Sequence, residues 1–174
     1  MNDVRKYSYH KYSEMYKRLF NKEKSKLKKV LSEVKIKHVG STSIPGLGGK
    51  GIIDIAIKTP INKLNQFIKK LKKLGYENNL DHPIDDRRAF LQKRILYNGK
   101  ERRIHIHLTL DDNFWNSFIV FRDYLRNHDK ERDAYDQIKK EAVKHAKGKA
   151  KKYRESKTSF LKRIQKLALK EYSE

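Results

Sequence analysis

Apolar and polar positions follow two different periods along this chain, and the changes of period divide it into elements. Between Tyr12 and Val34 the apolar residues Met15, Leu19, Leu27, Val30, Leu31 and Val34 recur at helical spacing, which predicts one long helix or two short ones. Ile36 to Val39 reads as a short strand. Ile52 to Ile57 is an apolar run interrupted only by Asp54, the pattern of a strand buried on both faces. Ile61, Leu64, Phe67, Ile68, Leu71 and Leu74 mark an amphipathic helix that stops at Gly75, a favourable C-terminal cap. Residues 77–89, rich in acids and arginines, read as a loop. Phe90 to Tyr97 and Arg103 to Leu110 read as strands joined at an Asn98-Gly99 hairpin turn.

Beyond Asp111 the period is helical throughout. Phe114, Phe118, Phe121 and Leu125 form one stripe, Tyr135, Ile138 and Ala142 a second, and Tyr153, Phe160, Ile164 and Leu167 a third. Lys147 to Lys152 is at most a short basic link between helices. With no repeat and no composition break, one domain over residues 1–174 is the expectation, and 174 residues suffice for a real core.

Composition narrows the function classes. Ten tyrosines and seven phenylalanines argue against wholesale disorder. No window approaches about eighteen uninterrupted apolar residues, and the start MNDVRKYSYHKYSE lacks an apolar centre, so neither a membrane span nor export is expected and the cytoplasm is the expected location. Without cysteine there is no disulfide framework, thiolate nucleophile or zinc-thiolate site, and any metal must use Asp, Glu or His. The formal charge of +22 attracts polyanions, with nucleotides, RNA and DNA the candidates. The lysines are spread along the chain rather than gathered in a tract, so a lysine-heavy genome or a hot habitat is the competing explanation.

The chemistry-bearing segment is HVGSTSIPGLGGKGIIDIAI, residues 38–57. Its glycines satisfy G-x-G-x-x-G formally, but that fingerprint opens a helix after a strand, whereas here a strand follows; the Walker pattern fails because position 45 is proline and Gly51 follows Lys50. What remains is a Gly40-Ser41 turn after a short strand, whose amides can hold phosphate oxygens, with the Thr42 hydroxyl beside it. Asp54 interrupts an apolar strand, and an unpaired buried carboxylate is costly. A Mg²⁺ or Mn²⁺ ion that also meets phosphate oxygens would compensate it. His105 and His107 alternate with Ile104, Ile106 and Leu108, so both imidazoles leave one face of a strand, either as hydrogen-bonded polar neighbours of a helix or as a metal or phosphate site. Lys157 falls on the apolar stripe of the last helix, where it must snorkel or meet an anion. Arg122 and Arg126 share a helix face, and Arg87, Arg88 and Lys93 flank the histidine strand; each can grip phosphate or form a surface salt bridge.

The run HVGSTSIPGL…IIDI resembles the core motif of the GrpB-like (UPF0157) family of the nucleotidyltransferase superfamily. Arg88-Ala-Phe90, His105-Ile-His107-Leu, Phe121-Arg-Asp-Tyr-Leu-Arg126, and Tyr153 with Lys157 and Phe160 extend the likeness over nearly the whole chain. The resemblance implies an α+β fold, with a nucleotidyltransferase-like mixed sheet of four or five strands covered by helices and C-terminal helices from about residue 113 closing a basic cleft. It further implies triphosphate on Gly40-Ser41 and a cation on Asp-x-Asp/Glu. Here that pair is Asp54 and Ala56, so the second carboxylate is missing, and Lys50-Gly51 replaces the usual Lys-Pro. His105, His107, Asp81, Asp85 or Asp86 would have to fill the gap.

The expected function is a nucleotidyltransferase-type enzyme using an NTP and Mg²⁺ or Mn²⁺. Its phosphates would lie on Gly40, Ser41, Thr42 and Lys50, its metal on Asp54 with His105 or His107, and Arg88, Arg122 or Lys157 would neutralise charge. The acceptor is a small alcohol, a protein or an RNA end. The alternative is a non-catalytic nucleotide- or RNA-binding protein with a degenerate site, and a third reading is a metal-dependent phosphoesterase on the histidine pair.

Overall fold

The computed structural model describes residues 8–78, 84–147 and 149–172. In chain order the elements are α1 (Met15–Val30), β1 (Lys35–Val39), a 3-10 turn (Ser41–Ser43), β2 (Ile53–Lys58), α2 (Leu64–Lys73), β3 (Glu77–Asn78), β4 (Arg88–Tyr97), β5 (Lys100–Thr109), α3 (Asp112–Asn127), α4 (Asp129–Ala146) and α5 (Ala150–Tyr172). The strands form a five-stranded mixed sheet in the order β1-β2-β5-β4-β3. Only β2 and β5 run parallel; the other neighbours are antiparallel. The expected α+β class with a four- or five-stranded sheet is therefore what the chain forms.

Alternation along the two central strands assigns the faces. Ile53, Ile55 and Ile57 of β2 and Ile104, Ile106 and Leu108 of β5 meet Leu19, Phe20 and Leu27 of α1 and Phe67, Ile68 and Leu71 of α2 in the main core. Each such side chain, fully buried, contributes about 1.5–3 kcal/mol. The alternate positions, Asp54 and Ala56 of β2 and His105 and His107 of β5, face the other way, where Val39 and Ala56 pack under Trp115 of α3. The sheet thus has a dry face and a face that carries Asp54 and the two histidines. A second core joins α3, α4 and α5 through Tyr124, Leu125, Tyr135, Phe160, Ile164 and Ala168, and Ile44 and Leu47 of the glycine segment insert into it.

The boundaries differ from the expectation where turn chemistry overrides periodicity. α2 starts at Leu64, not Ile61: Asn62 takes a left-handed φ of 70° just after Pro60, and Ile61 is left 77% exposed. The two-residue Asn98-Gly99 turn, left-handed at both positions, pairs Tyr97 with Lys100, so β5 begins three residues before Arg103. Residues 77 and 78, expected in a loop, pair with Gln92 and Leu91; residues 79–83, including Asp81, lie outside the described residues. In α3 the buried positions are Trp115, Arg122, Tyr124 and Leu125; of the expected stripe Leu125 is buried, and Phe118 and Phe121 are half-buried against the neighbouring clusters. In α5 Ala168 is buried and Leu167 is not.

Candidate phosphate and metal site

Asp54 stands in β2 opposite His105 of β5, with Val39 of β1 on its other side. Its Oδ1 lies 3.3 Å from His107 Nε2 and 3.4 Å from His105 Nδ1. Phe90 meets both imidazoles edge-on and Phe118 covers His107, so the rings are fixed in place. The carboxylate side chain is 23% exposed. Burial works to raise its pKa, but the hydrogen bonds and charge of the two imidazoles outweigh it and hold the group well below the usual carboxylate range. Asp54 is an anion here. With Nδ1 turned to Asp54, His105 keeps a buried Nε2 that finds no partner among the described residues.

The Gly40-Ser41 turn meets this carboxylate directly. Gly40 has φ 69° and ψ −176°, and a Cβ on it would fall 2.5 Å from Asp54 Oδ2, so only glycine lets backbone and carboxylate approach so closely. The turn's own bonds are donated by Ser43 (to Gly40 O, 3.1 Å) and Ile44 (to Ser41 O, 3.2 Å). The Ser41 and Thr42 amides precede the first of them and are the donors a turn start presents to an anion. The Thr42 side chain goes elsewhere: its hydroxyl donates to Ile52 O at 2.8 Å and meets His38 Nε2 at 3.0 Å.

Farther along, the glycine loop is held from outside. The Gly48 amide donates to Asp136 of α4 at 2.8 Å, Lys139 of α4 donates to Gly48 O, and Tyr9 donates to Asp136 at 2.6 Å. Gly49 exchanges both backbone bonds with His10. Lys139, Asp136 and Tyr9 are the residues that sequence reasoning missed. Tyr135, Lys139 and Ala142 share one face of α4, so the signal was the one that singled out Lys157, a lysine on an apolar stripe.

Two lysines share one aromatic ring. The ammonium groups of Lys157 and Lys50 lie 4.2 and 5.0 Å from the centre of the Tyr153 ring. Burial and the neighbouring Lys50 bring the Lys157 pKa down to about 8, against the pull of Asp54. Lys139, 2% exposed, is lowered to about 7, by burial first and by Lys157, with Asp136 opposing. Such groups favour a neighbouring anion, because it repays the cost of keeping them charged.

The other expected phosphate ligands are engaged elsewhere. Arg88 pairs with Asp85 and stacks on Phe114, opposite Thr109, four residues along β5 from His105 and so roughly 13 Å away. Arg122 is buried, donating to His38 O and to Asp123. Arg126 donates to Ser43 O, and Lys93 pairs with the buried Glu23. Asp85 caps the Arg87 and Arg88 amides. The structure therefore gathers Asp54, His105, His107, Gly40, Ser41, Lys50 and Lys157, and leaves Arg88, Arg122 and the Thr42 hydroxyl with other partners. Among the described residues no three His, Asp or Glu side chains form a group that could hold a metal ion by themselves.

The crystal structure of GrpB from Enterococcus faecalis superposes with a TM-score of 0.80 at 30% identity, covering 96% of this chain and 100% of that one. The glutamate-rich protein GrpB of Alkalihalophilus pseudofirmus is 33% identical over 159 residues, 88% of this chain and 90% of its own length. The Cid1 poly(U) polymerase, solved with Mg and 3′-dATP bound, matches with a TM-score of 0.51 at 14% identity over 79% of this chain and 43% of its own, a likeness of fold. The family model described as GrpB protein matches residues 8–167. With that match running from the segment that clasps Gly49 to the end of the helical core, the chain belongs to the GrpB family.

Proposed function

We propose that this protein binds a nucleoside triphosphate in the Asp54 cleft and transfers its nucleotidyl group to an acceptor hydroxyl, the whole chain acting as one unit with α3, α4 and α5 closing the cleft. The observation that carries the reading is an ionised Asp54 packed against the Gly40 backbone, with Lys157 near enough to feel its charge. The nucleotidyltransferase-like fold of the structural neighbours supports it.

The fold family implies divalent metal, and the donor set decides how much of it fits. One carboxylate suits a single Mg²⁺ or Mn²⁺ that brings its own waters and takes its remaining ligands from phosphate. It does not suit a two-cation clamp, since Ala56 occupies the place of the second acid. Asp54 would hold the ion, with His105 and His107 orienting the carboxylate from behind. When bound, the ion neutralises phosphate charge. Lys50 and Lys157 would take the β- and γ-phosphates while the Ser41 and Thr42 amides hold their oxygens. The acceptor oxygen then bonds to the α-phosphorus as the bond to the leaving pyrophosphate breaks, and the acceptor proton passes to solvent. Positioning and charge neutralisation are the chain's contributions.

Ala56 also favours a second reading, a nucleotide-binding protein that no longer turns its ligand over. Thermal shift with ATP, GTP, CTP and UTP, with and without Mn²⁺ or Mg²⁺, together with pyrophosphate release, separates the two. The enzyme shows metal-dependent stabilisation and pyrophosphate release, both lost in Asp54→Asn. The binder shows stabilisation indifferent to metal and to Asp54→Asn.

A further inference from the structure

The Gly40 to Ser43 turn has a second side. Behind it, between the start of α1, the free edge of β1 and the facing ends of α3 and α4, lies a cavity of about 540 Å³ that does not include Asp54. That volume is within the range of small-molecule sites, about 300–1,000 Å³. Its wall joins apolar and cationic surface. Tyr12, Phe20 and Pro45 supply the first. Phe20 stacks on His38 at 4.7 Å, and burial holds His38 neutral, its pKa brought down to about 4, so the histidine adds no charge of its own.

The cations of this wall differ in their engagement. Arg122 and Arg132 are matched by Asp123 and by Asp129 and Asp133. Lys17, Lys24 and Lys37 form no ion pair among the described residues, and the acid that shares the wall, Glu14, is hydrogen-bonded by Tyr12. Arg126 reaches in from α3, donating to Ser43 O and standing 3.7 Å from Asp123, with its side chain still 39% exposed. A cavity with surplus positive charge over an apolar floor takes an anion with a carbon skeleton, and a phosphate group matches three lysines and a guanidinium better than a carboxylate does.

We propose that this cavity is a separate binding site for a small organic phosphate, its phosphate on Lys17, Lys24, Lys37 and Arg126 and its carbon skeleton on Tyr12, Phe20 and Pro45. Because His38, Thr42 and Ser43 line this cavity while Gly40 abuts Asp54, the two sites share one short turn.

The test is isothermal titration of the full chain with AMP, glucose 6-phosphate and inorganic phosphate, in EDTA and about 150 mM salt. At least one organic phosphate should bind saturably at one site, more tightly than inorganic phosphate. The Lys24→Glu, Lys37→Glu double variant should weaken it about tenfold or more. Lys28→Glu, Lys72→Glu, an equal charge change at exposed positions outside the cavity, should not. Asp54→Asn and Lys157→Gln should leave binding intact, so this site can fail while the Asp54 reading stands, and the reverse. Absence of saturable binding by all three probes overturns the proposal, as does equal weakening by the control variant or loss of binding in Asp54→Asn or Lys157→Gln.

Discussion

Replacing Gly40 by alanine tests the contact between turn and carboxylate more directly than any change at Asp54 itself. Two costs combine. The backbone at φ 69° and ψ −176° lies in a region left almost wholly to glycine, and a side chain there costs about 1–3 kcal/mol. The new methyl would also stand 2.5 Å from Asp54 Oδ2 and 3.0 Å from Asp54 Cβ, so the carboxylate must move off its imidazole partners. Hydrogen bonds to a charged group contribute about 1.5–3 kcal/mol. Gly40→Ala should therefore lower stability by about 3–5 kcal/mol, a large part of what a small domain possesses. Urea unfolding followed by fluorescence of Trp115, the chain's one tryptophan, which packs on the same sheet face, reads the loss. In an Asp54→Gly background the crowding partner is gone, and only the backbone cost, about 1–3 kcal/mol, should remain. A double-mutant cycle thus gives a coupling of about 1.5–3 kcal/mol. If Gly40→Ala costs under about 1 kcal/mol, or the two changes add within about 0.5 kcal/mol, the described contact between turn and carboxylate is wrong.

Three further outcomes follow from the helices. Lys139 releases its proton near pH 7 in the fold but near 10.5 when unfolded, so the unfolded chain binds more protons in that window and stability should rise with pH from about 7 to about 10; Lys157, at about 8, adds in the same direction. The Lys139 part is on the order of 4 kcal/mol, and Lys139→Met should flatten it in unfolding midpoints compared at pH 6 and pH 9.5; a fall in stability over this window contradicts the burial of these lysines. Asp136→Ala leaves the Gly48 amide and the Tyr9 hydroxyl without their acceptor and should cost about 2–4 kcal/mol, with Tyr9→Phe costing about 1 kcal/mol and faster hydrogen exchange at the Gly48 amide in both. Lys157→Gln should weaken triphosphate binding about tenfold in calorimetry while leaving the melting temperature at pH 7 equal or higher, because it removes a partly desolvated charge whose burial cost outweighs the pull of Asp54 until a ligand binds.

The sheet was legible in the sequence because its period is simple. Alternation in Ile53 to Ile57 and Ile104 to Leu108 separates the dry face from the face of Asp54, His105 and His107, and once β2 and β5 are neighbours the three side chains must meet. That neighbourhood itself is not written in either segment; it follows from how the intervening α2 and the β4–β5 hairpin pack. Arg88 and Arg122 left the expected site for acids close by in the chain, Asp85 and Asp123, and those pairings could have been anticipated. The Thr42 hydroxyl turned away because a tight turn sends successive side chains to different sides, so Ser41 and Thr42 cannot both face one ligand. The grip of α4 on the glycine loop was hidden for a plainer reason, the separation of 88 positions from Gly48 to Asp136.

That long-range grip has a consequence for how the glycine loop comes into being. Its amide and carbonyl groups are tied at one side by the chain's opening segment, through His10, and at another by a helix near its far end. Contacts so remote in sequence close late, after local helices and the β4–β5 hairpin have formed. The loop thus depends for its shape on two segments far from it in the chain, and cutting the glycine segment out and grafting it onto another scaffold would transfer its letters without its geometry.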